Sequence, residues 1–145
     1  METNALGKIF EDGEIILRQG DYGDCMYVIQ DGQVEIIREL DDNRVRLAVR
    51  QKGDFFGEMA IFEREVRSAT VRALGKARVL TIDKKNFLRR IHEDPSMAYR
   101  MVQTMSRRIR ELSIEVTQLR MALGEFPNQS GVQTGLDLKE KRDGI

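Results

Sequence analysis

Between residues 14 and 82 the chain alternates short apolar runs with glycine-marked turns. Ile15-Ile16-Leu17 comes first and leads into the turn-rich Gln19-Gly20-Asp21-Tyr22-Gly23-Asp24. Met26-Tyr27-Val28-Ile29 and Val34-Glu35-Ile36-Ile37 flank Asp31-Gly32, a pair that tolerates positive φ and predicts a hairpin. After a turn at Asp41-Asp42-Asn43, Val45, Leu47 and Val49 alternate with Arg44, Arg46, Ala48 and Arg50. That period of two predicts a strand with one buried and one solvated face. Gly53-Asp54 turns the chain again, and Ala69-Thr70-Val71-Arg72-Ala73 and Ala77-Arg78-Val79-Leu80-Thr81-Ile82 supply two further strands. Many short strands at this spacing predict an antiparallel barrel, roll or sandwich.

The period changes after Ile82. Asp83 suits the cap of a short helix carrying Phe87, Leu88 and Ile91. Asp94-Pro95 then gives a capping residue followed by proline at the first helical position. From there to about Leu123 there is no further Gly or Pro. Ala98, Val102, Met105, Ile109, Leu112, Val116, Leu119 and Leu123 recur at steps of four and three, a heptad seam. The seam predicts a homodimer through this helix; its first turns have the alternative of lying on the sheet as an ordinary amphipathic stripe. Gly124 is the expected stop. The reading is therefore one domain over residues 1–123, with a long helix from about 95 to 123, and a polar tail over 124–145 expected to be disordered.

Composition narrows the classes. The chain has 145 residues, enough for a real core, with 41% hydrophobic and 33% charged residues. Basic and acidic residues balance at 24 each, which argues against broad non-specific nucleic-acid binding. Cys25 is the sole cysteine, so no intramolecular disulfide forms and a reducing compartment is the simpler reading. Met1-Glu2-Thr3-Asn4-Ala5-Leu6-Gly7-Lys8 has no apolar signal core and no stretch is fit to span a bilayer, so a cytoplasmic location without membrane association is expected. His92 is the sole histidine and lies outside the strands, a poor basis for a metal-dependent enzyme on a β-roll. No nucleophile, base and orienter set is visible, and neither a catalytic residue nor a metal site is expected.

One stretch carries candidate chemistry: Gly53-Asp54-Phe55-Phe56-Gly57-Glu58-Met59-Ala60-Ile61-Phe62, then Arg67-Ser68-Ala69-Thr70-Val71. A cyclic nucleotide asks for three things that Gly57, Glu58 and Arg67 can supply. Backbone N–H groups cradle an anion where glycine permits close approach. Arginine adds a full charge on a planar fork of donors. A carboxylate accepts a hydrogen bond from a ribose 2′-hydroxyl. The residues alone leave a structural reading open, with Arg67 paired to Glu63 or Glu65 and Glu58 capping a turn.

Here the chain resembles the cyclic-nucleotide-binding domains of bacterial catabolite activator protein and of protein kinase A regulatory subunits. The resemblance runs over about residues 10 to 120. It includes Gly13-Glu14 with Ile16, Gln19-Gly20-Asp21, Gly23-Asp24, Tyr27-Val28-Ile29 and Gly32-Gln33-Val34-Glu35, whose glycines read as largely scaffold. Its specific part is the phosphate-binding cassette, Phe56-Gly57-Glu58-Met59-Ala60-Ile61-Phe62 through Arg67-Ser68-Ala69-Thr70-Val71. The resemblance implies a mainly β fold with C-terminal helices: an antiparallel β-roll of the jelly-roll type, a short helix and a long C-terminal helix. It implies ribose binding by Glu58, phosphate binding by Arg67 and by the backbone from Gly57 to Ala60, and a site formed by Phe56, Gly57, Glu58, Met59, Ala60, Arg67, Ser68 and Ala69. Ser68 suits phosphate or a guanine amino group and so does not choose the base.

The expected ligand is cAMP, favoured over cGMP as the commoner ligand of the family, with no other cofactor. Where the activator has adjacent threonine and serine touching adenine, this chain has Leu112-Ser113, so Ser113 is the candidate there and Leu112 fits the seam. No winged helix-turn-helix pattern follows the long helix, so direct DNA binding is not expected. The expected function is a non-catalytic signalling module whose ligand acts on the C-terminal helix and on an unidentified protein partner. The rival is a degenerate roll kept as a dimerisation scaffold.

Overall fold

A computed structural model describes residues 6–63 and 66–125. Two compact units are distinguished, one up to Ala98 and one from Tyr99 onward.

The first unit is an antiparallel sheet of six strands. These are β1 (Lys8–Phe10), β2 (Ile15–Leu17), β3 (Cys25–Leu40), β4 (Asn43–Gln51), β5 (Phe55–Phe56) and β6 (Thr70–Asp83). The order is β1-β6-β3-β4, with β2 beside β6 and β5 beside β3. Strands β3 and β6 pair from Cys25 opposite Asp83 to Ile37 opposite Thr70 and form the spine of the roll. The expected antiparallel β-roll with C-terminal helices is what the structure shows.

Two expectations are corrected within that spine. Asp31-Gly32 does not make a hairpin: β3 runs through it, with register shifts on both sides of Asp31. Gly32 has φ 79°, and a Cβ there would collide with the Lys76 carbonyl. A bulge demands the same positive φ as a tight turn, so the dipeptide marks a backbone conformation and not a chain reversal. In the same way the two strands expected at 69–73 and 77–82 are one, β6. Strand β1, too short to show a period, was not anticipated.

Alternation along the spine separates two faces. Across β4, β3 and β6, the rows Ala48–Ile36–Val71 and Arg50–Val34–Ala73 lie on one face. Val34, Val71 and Ala73 there join Phe10, Ile29, Phe56, Ala77 and Val79 in the core. Full burial of a side chain such as Phe56 contributes about 1.5–3 kcal/mol. The next row, Val49–Glu35–Arg72, lies on the other face, where buried Glu35 accepts from Arg72 Nε and from Arg46 Nη2 at 2.6 Å. Strand β4 departs from its reading, because Val45, Leu47 and Val49 are all exposed. It has one neighbour only, and its register slips at Leu47, since Ala48 faces Ile36 while Arg46 faces Ile37. An edge strand buries little whatever its period.

Three helices complete the described residues: α1 (Met59–Phe62), α2 (Lys84–Glu93) and α3 (Pro95–Ala122). The Asp83 carboxylate caps α2 by accepting from Asn86 N–H at 2.8 Å, and Phe87 is the helix's buried residue. Helix α3 starts at the expected proline and closes with Gly124 N–H on Met121 O (3.0 Å) and Glu125 N–H on Arg120 O (2.9 Å). That pair of bonds is a Schellman stop, which glycine at 124 permits. In the second unit, Val102, Ile109, Leu112, Val116 and Leu119 are exposed along the helix. The tail from 126 onward, expected to be disordered, lies outside the described residues. No helix among the described residues is long and apolar enough to cross a membrane.

Candidate functional site

The cassette hangs from β5. Phe56 stands opposite Tyr27 of β3, and their rings stack at 5.1 Å with an interplanar angle of 13°. The chain then turns through Gly57, whose φ is 73°. A Cβ there would meet Arg67 Nη1 at 3.0 Å and the side chains of Leu17 and Tyr27 at 3.3 Å, so glycine answers both the conformation and the space. Helix α1 follows, anchored by buried Ile61, whose N–H donates to Glu58 O at 2.9 Å. Glu58 is half-buried just before α1, and its side chain does not cap the helix, contrary to the turn-capping alternative. Ala60 is half-buried and Met59 is exposed.

Arg67 is brought back onto this turn. Its side chain is buried at 8% exposure. Nη1 donates to Gly57 O and Nη2 to Cys25 O, each at 2.8 Å. Its Cζ lies 5.8 Å from the Tyr27 ring centre, a cation–π floor. The main chain is clamped as well: Arg67 N–H donates to Asp21 O (2.7 Å), and Gly20 N–H donates to Arg67 O (2.8 Å). Both tip contacts are to neutral carbonyls. Among the described residues no carboxylate forms an ion pair with Arg67, Glu63 included; Glu65 lies outside them. A buried guanidinium that donates to neutral carbonyls has charge left to offer an anion.

The Tyr27 phenol is pushed up to about 12, first by burial and then by its contact with Cys25, whose Sγ lies 3.5 Å from the phenol oxygen. It is neutral at ordinary pH and does not compete for the guanidinium charge. Beside the cassette opens a cavity of about 570 Å³ lined by Tyr22, Gly23, Asp24, Ala60, Ile61, Phe62 and Lys84. That size suits a small organic ligand.

The structure thus gathers Phe56, Gly57, Glu58, Met59, Ala60 and Arg67 into one turn, with Ser68 exposed and Ala69 buried at the approach to β6. Ser113 is exposed on α3 in the second unit, where its carbonyl accepts from the Thr117 hydroxyl at 2.9 Å. His92 is exposed on α2, and among the described residues no three His, Cys, Asp or Glu side chains gather as a metal set. Three contributors escaped the sequence reading: Gly23, the Cys25 carbonyl and Tyr27. A backbone carbonyl has no residue-type signature, Gly23 belongs to the glycines that read as largely scaffold, and Tyr27 reads as one more apolar strand residue.

Comparison with known proteins identifies the arrangement. Residues 8–94, more than half of the chain, match the family model described as "Cyclic nucleotide-binding domain". The chain is 40% identical over 81 residues to a cAMP-dependent protein kinase regulatory subunit of Schizosaccharomyces pombe, a match covering 56% of this chain and 19% of the subunit. It is 38% identical over 85 residues to a cGMP-dependent protein kinase of Caenorhabditis briggsae, covering 57% of this chain and 11% of the kinase. Among solved structures, the Thermus thermophilus catabolite activator protein superposes with a TM-score of 0.69 at 29% identity, over 77% of this chain and 53% of that one. The chain therefore spans from about a tenth to about half of the length of these relatives.

Proposed function

Because the chain belongs to the cyclic nucleotide-binding domain family, we propose that it is a non-catalytic regulatory module binding one 3′,5′-cyclic nucleotide at the cassette from Phe56 to Ala69. The observation that carries this reading is Arg67, a buried guanidinium that donates to two backbone carbonyls, forms no ion pair among the described residues, and is placed on the Gly57–Glu58 turn. In this reading Arg67 holds the cyclic phosphate together with the backbone from Gly57 to Ala60 and with Ser68. Glu58 accepts from the ribose 2′-hydroxyl, and Phe56, Met59 and Ala69 shape the walls; Ser113 remains the candidate contact to the base. The favoured ligand is cAMP over cGMP, on the slightly higher identity to the kinase subunit named for cAMP.

Signal leaves the site through packing. Phe62 at the end of α1 meets Phe87 of α2 edge-on at 5.7 Å, so a ligand that tightens the cassette shifts α2 and then α3. The ligand moves this equilibrium only by its differential affinity for the two states. The exposed stripe of α3 supports a homodimer through that helix, acting on a protein partner in the cytoplasm. The same stripe favours the rival reading of a dimerisation scaffold without ligand; the buried Arg67 on the cassette turn speaks against it.

Calorimetric titration of the purified chain with cAMP and with cGMP tests the proposal. The expected result is saturable binding of one nucleotide per chain, tighter for cAMP. Absence of binding by either leaves the scaffold reading standing and removes this one.

A further inference from the structure

Gly23 was read as scaffold, yet its surroundings give it a role at the site. It lies in the turn between β2 and β3, and its φ is outside the left-handed region that favours glycine. The demand for glycine is therefore spatial. A Cβ at residue 23 would overlap Nε, Nη2 and Cζ of Arg67.

We propose that Gly23 is the positioning residue that sets where the Arg67 guanidinium stands; the inference rests on the reading of Arg67 as the phosphate group's partner. The guanidinium has no easy retreat from an added methyl group. Gly57 closes the opposite side, where a Cβ would already stand 3.0 Å from Nη1. The tip is tied to Gly57 O and Cys25 O at 2.8 Å, and the Tyr27 ring lies beneath at 5.8 Å. The turn cannot swing away alone either. Asp21 O and Gly20 N–H are bonded to the main chain of Arg67, and Tyr22 bridges Val66, so turn and arginine move as one body. A methyl group at 23 therefore displaces the side chain, which is the flexible member, and breaks one or both carbonyl contacts. Gly23 acts through Arg67 and needs no contact with ligand; it holds the fork of donors where an incoming phosphate meets it without rearrangement.

A double-mutant cycle in the full chain tests this: wild type, Gly23→Ala, Arg67→Ala and the double variant, each followed by thermal unfolding and by calorimetry with cAMP and cGMP. Gly23→Ala is expected to weaken nucleotide binding at least tenfold with the far-ultraviolet circular dichroism unchanged. It is also expected to lower the unfolding midpoint in the wild-type background and to leave it unchanged in Arg67→Ala, where the space is empty. Should Gly23→Ala fail to fold alone but fold in the double variant, the coupling stands. Binding within twofold of wild type, or an equal loss of midpoint in both backgrounds, overturns it and returns Gly23 to scaffold. If wild type binds neither nucleotide, the site reading fails, and the unfolding cycle alone decides whether Gly23 positions Arg67.

Discussion

Glu35 and Arg67 are both buried charges, and their partners set them apart. The Arg72 guanidinium, with Arg46 beside it, holds the Glu35 carboxyl below the usual carboxylate range against the opposing effect of burial. A folded-state value below the unfolded one means that the stabilisation is complete above the ordinary carboxylate range and drains away as pH falls through the lowered value. Thermal midpoints of wild type and Glu35→Gln should therefore differ most at neutral pH, by about 1–3 kcal/mol of stability, and converge as pH falls through that lowered value. A gap that does not narrow in acid contradicts the pairing. Among the described residues Arg67 has no such partner, which is why it reads as a candidate site and Glu35 as structure. At Glu58 the expectation concerns the sugar. Glu58→Ala should weaken cAMP by about 1.5–3 kcal/mol, the scale of a hydrogen bond to a charged group, and 2′-deoxy-cAMP far less. Equal losses for both ligands in competition binding would place Glu58 elsewhere. Types and spacing made Glu58 and Arg67 candidates and the family resemblance assigned their roles, whereas nothing singled out Gly23, because a glycine needed for a neighbour's side chain looks like one needed for a turn.

Among the elements, helix boundaries were legible to within a residue or two, since Asp83, Asp94-Pro95 and Gly124 each solve a specific end problem of a helix. The strands were legible as apolar runs but not as a count. Asp31-Gly32 and Gly75 interrupt the pattern without ending β3 or β6, because pairing across a bulge keeps the ladder alive on either side. The alternation of β4 misled for a different reason: burial is set by neighbours, and an edge strand has one. For α3, period and exposure agree on an uncovered apolar stripe, with Ile109 at 67% and Leu112 at 59% exposure. Sedimentation equilibrium should find a dimer, and Leu112→Glu should weaken it by about two decades or more, since two core leucines leave the seam and two charges enter it. A monomer at every concentration sampled, or a dimer indifferent to Leu112→Glu, excludes this helix as the interface.

For the molecule as a whole, zero net charge and a roll closed over an apolar core leave little long-range field to gather a ligand. Recognition must then come from local geometry, and the sheet supplies it by bringing the turn before β3, the end of β5 and the approach to β6 to one place around Arg67. That convergence joins segments more than forty residues apart, so no reading of local pattern reveals it; the resemblance to a family did. The most direct measurement is calorimetric titration of cAMP into wild type and Arg67→Ala side by side. Stripping a buried phosphate of its cation should cost about 3–5 kcal/mol, or about two to four decades of affinity, with the fold retained. Equal affinity in the two proteins would mean that Arg67 does not hold the ligand, and that the cassette is not the site.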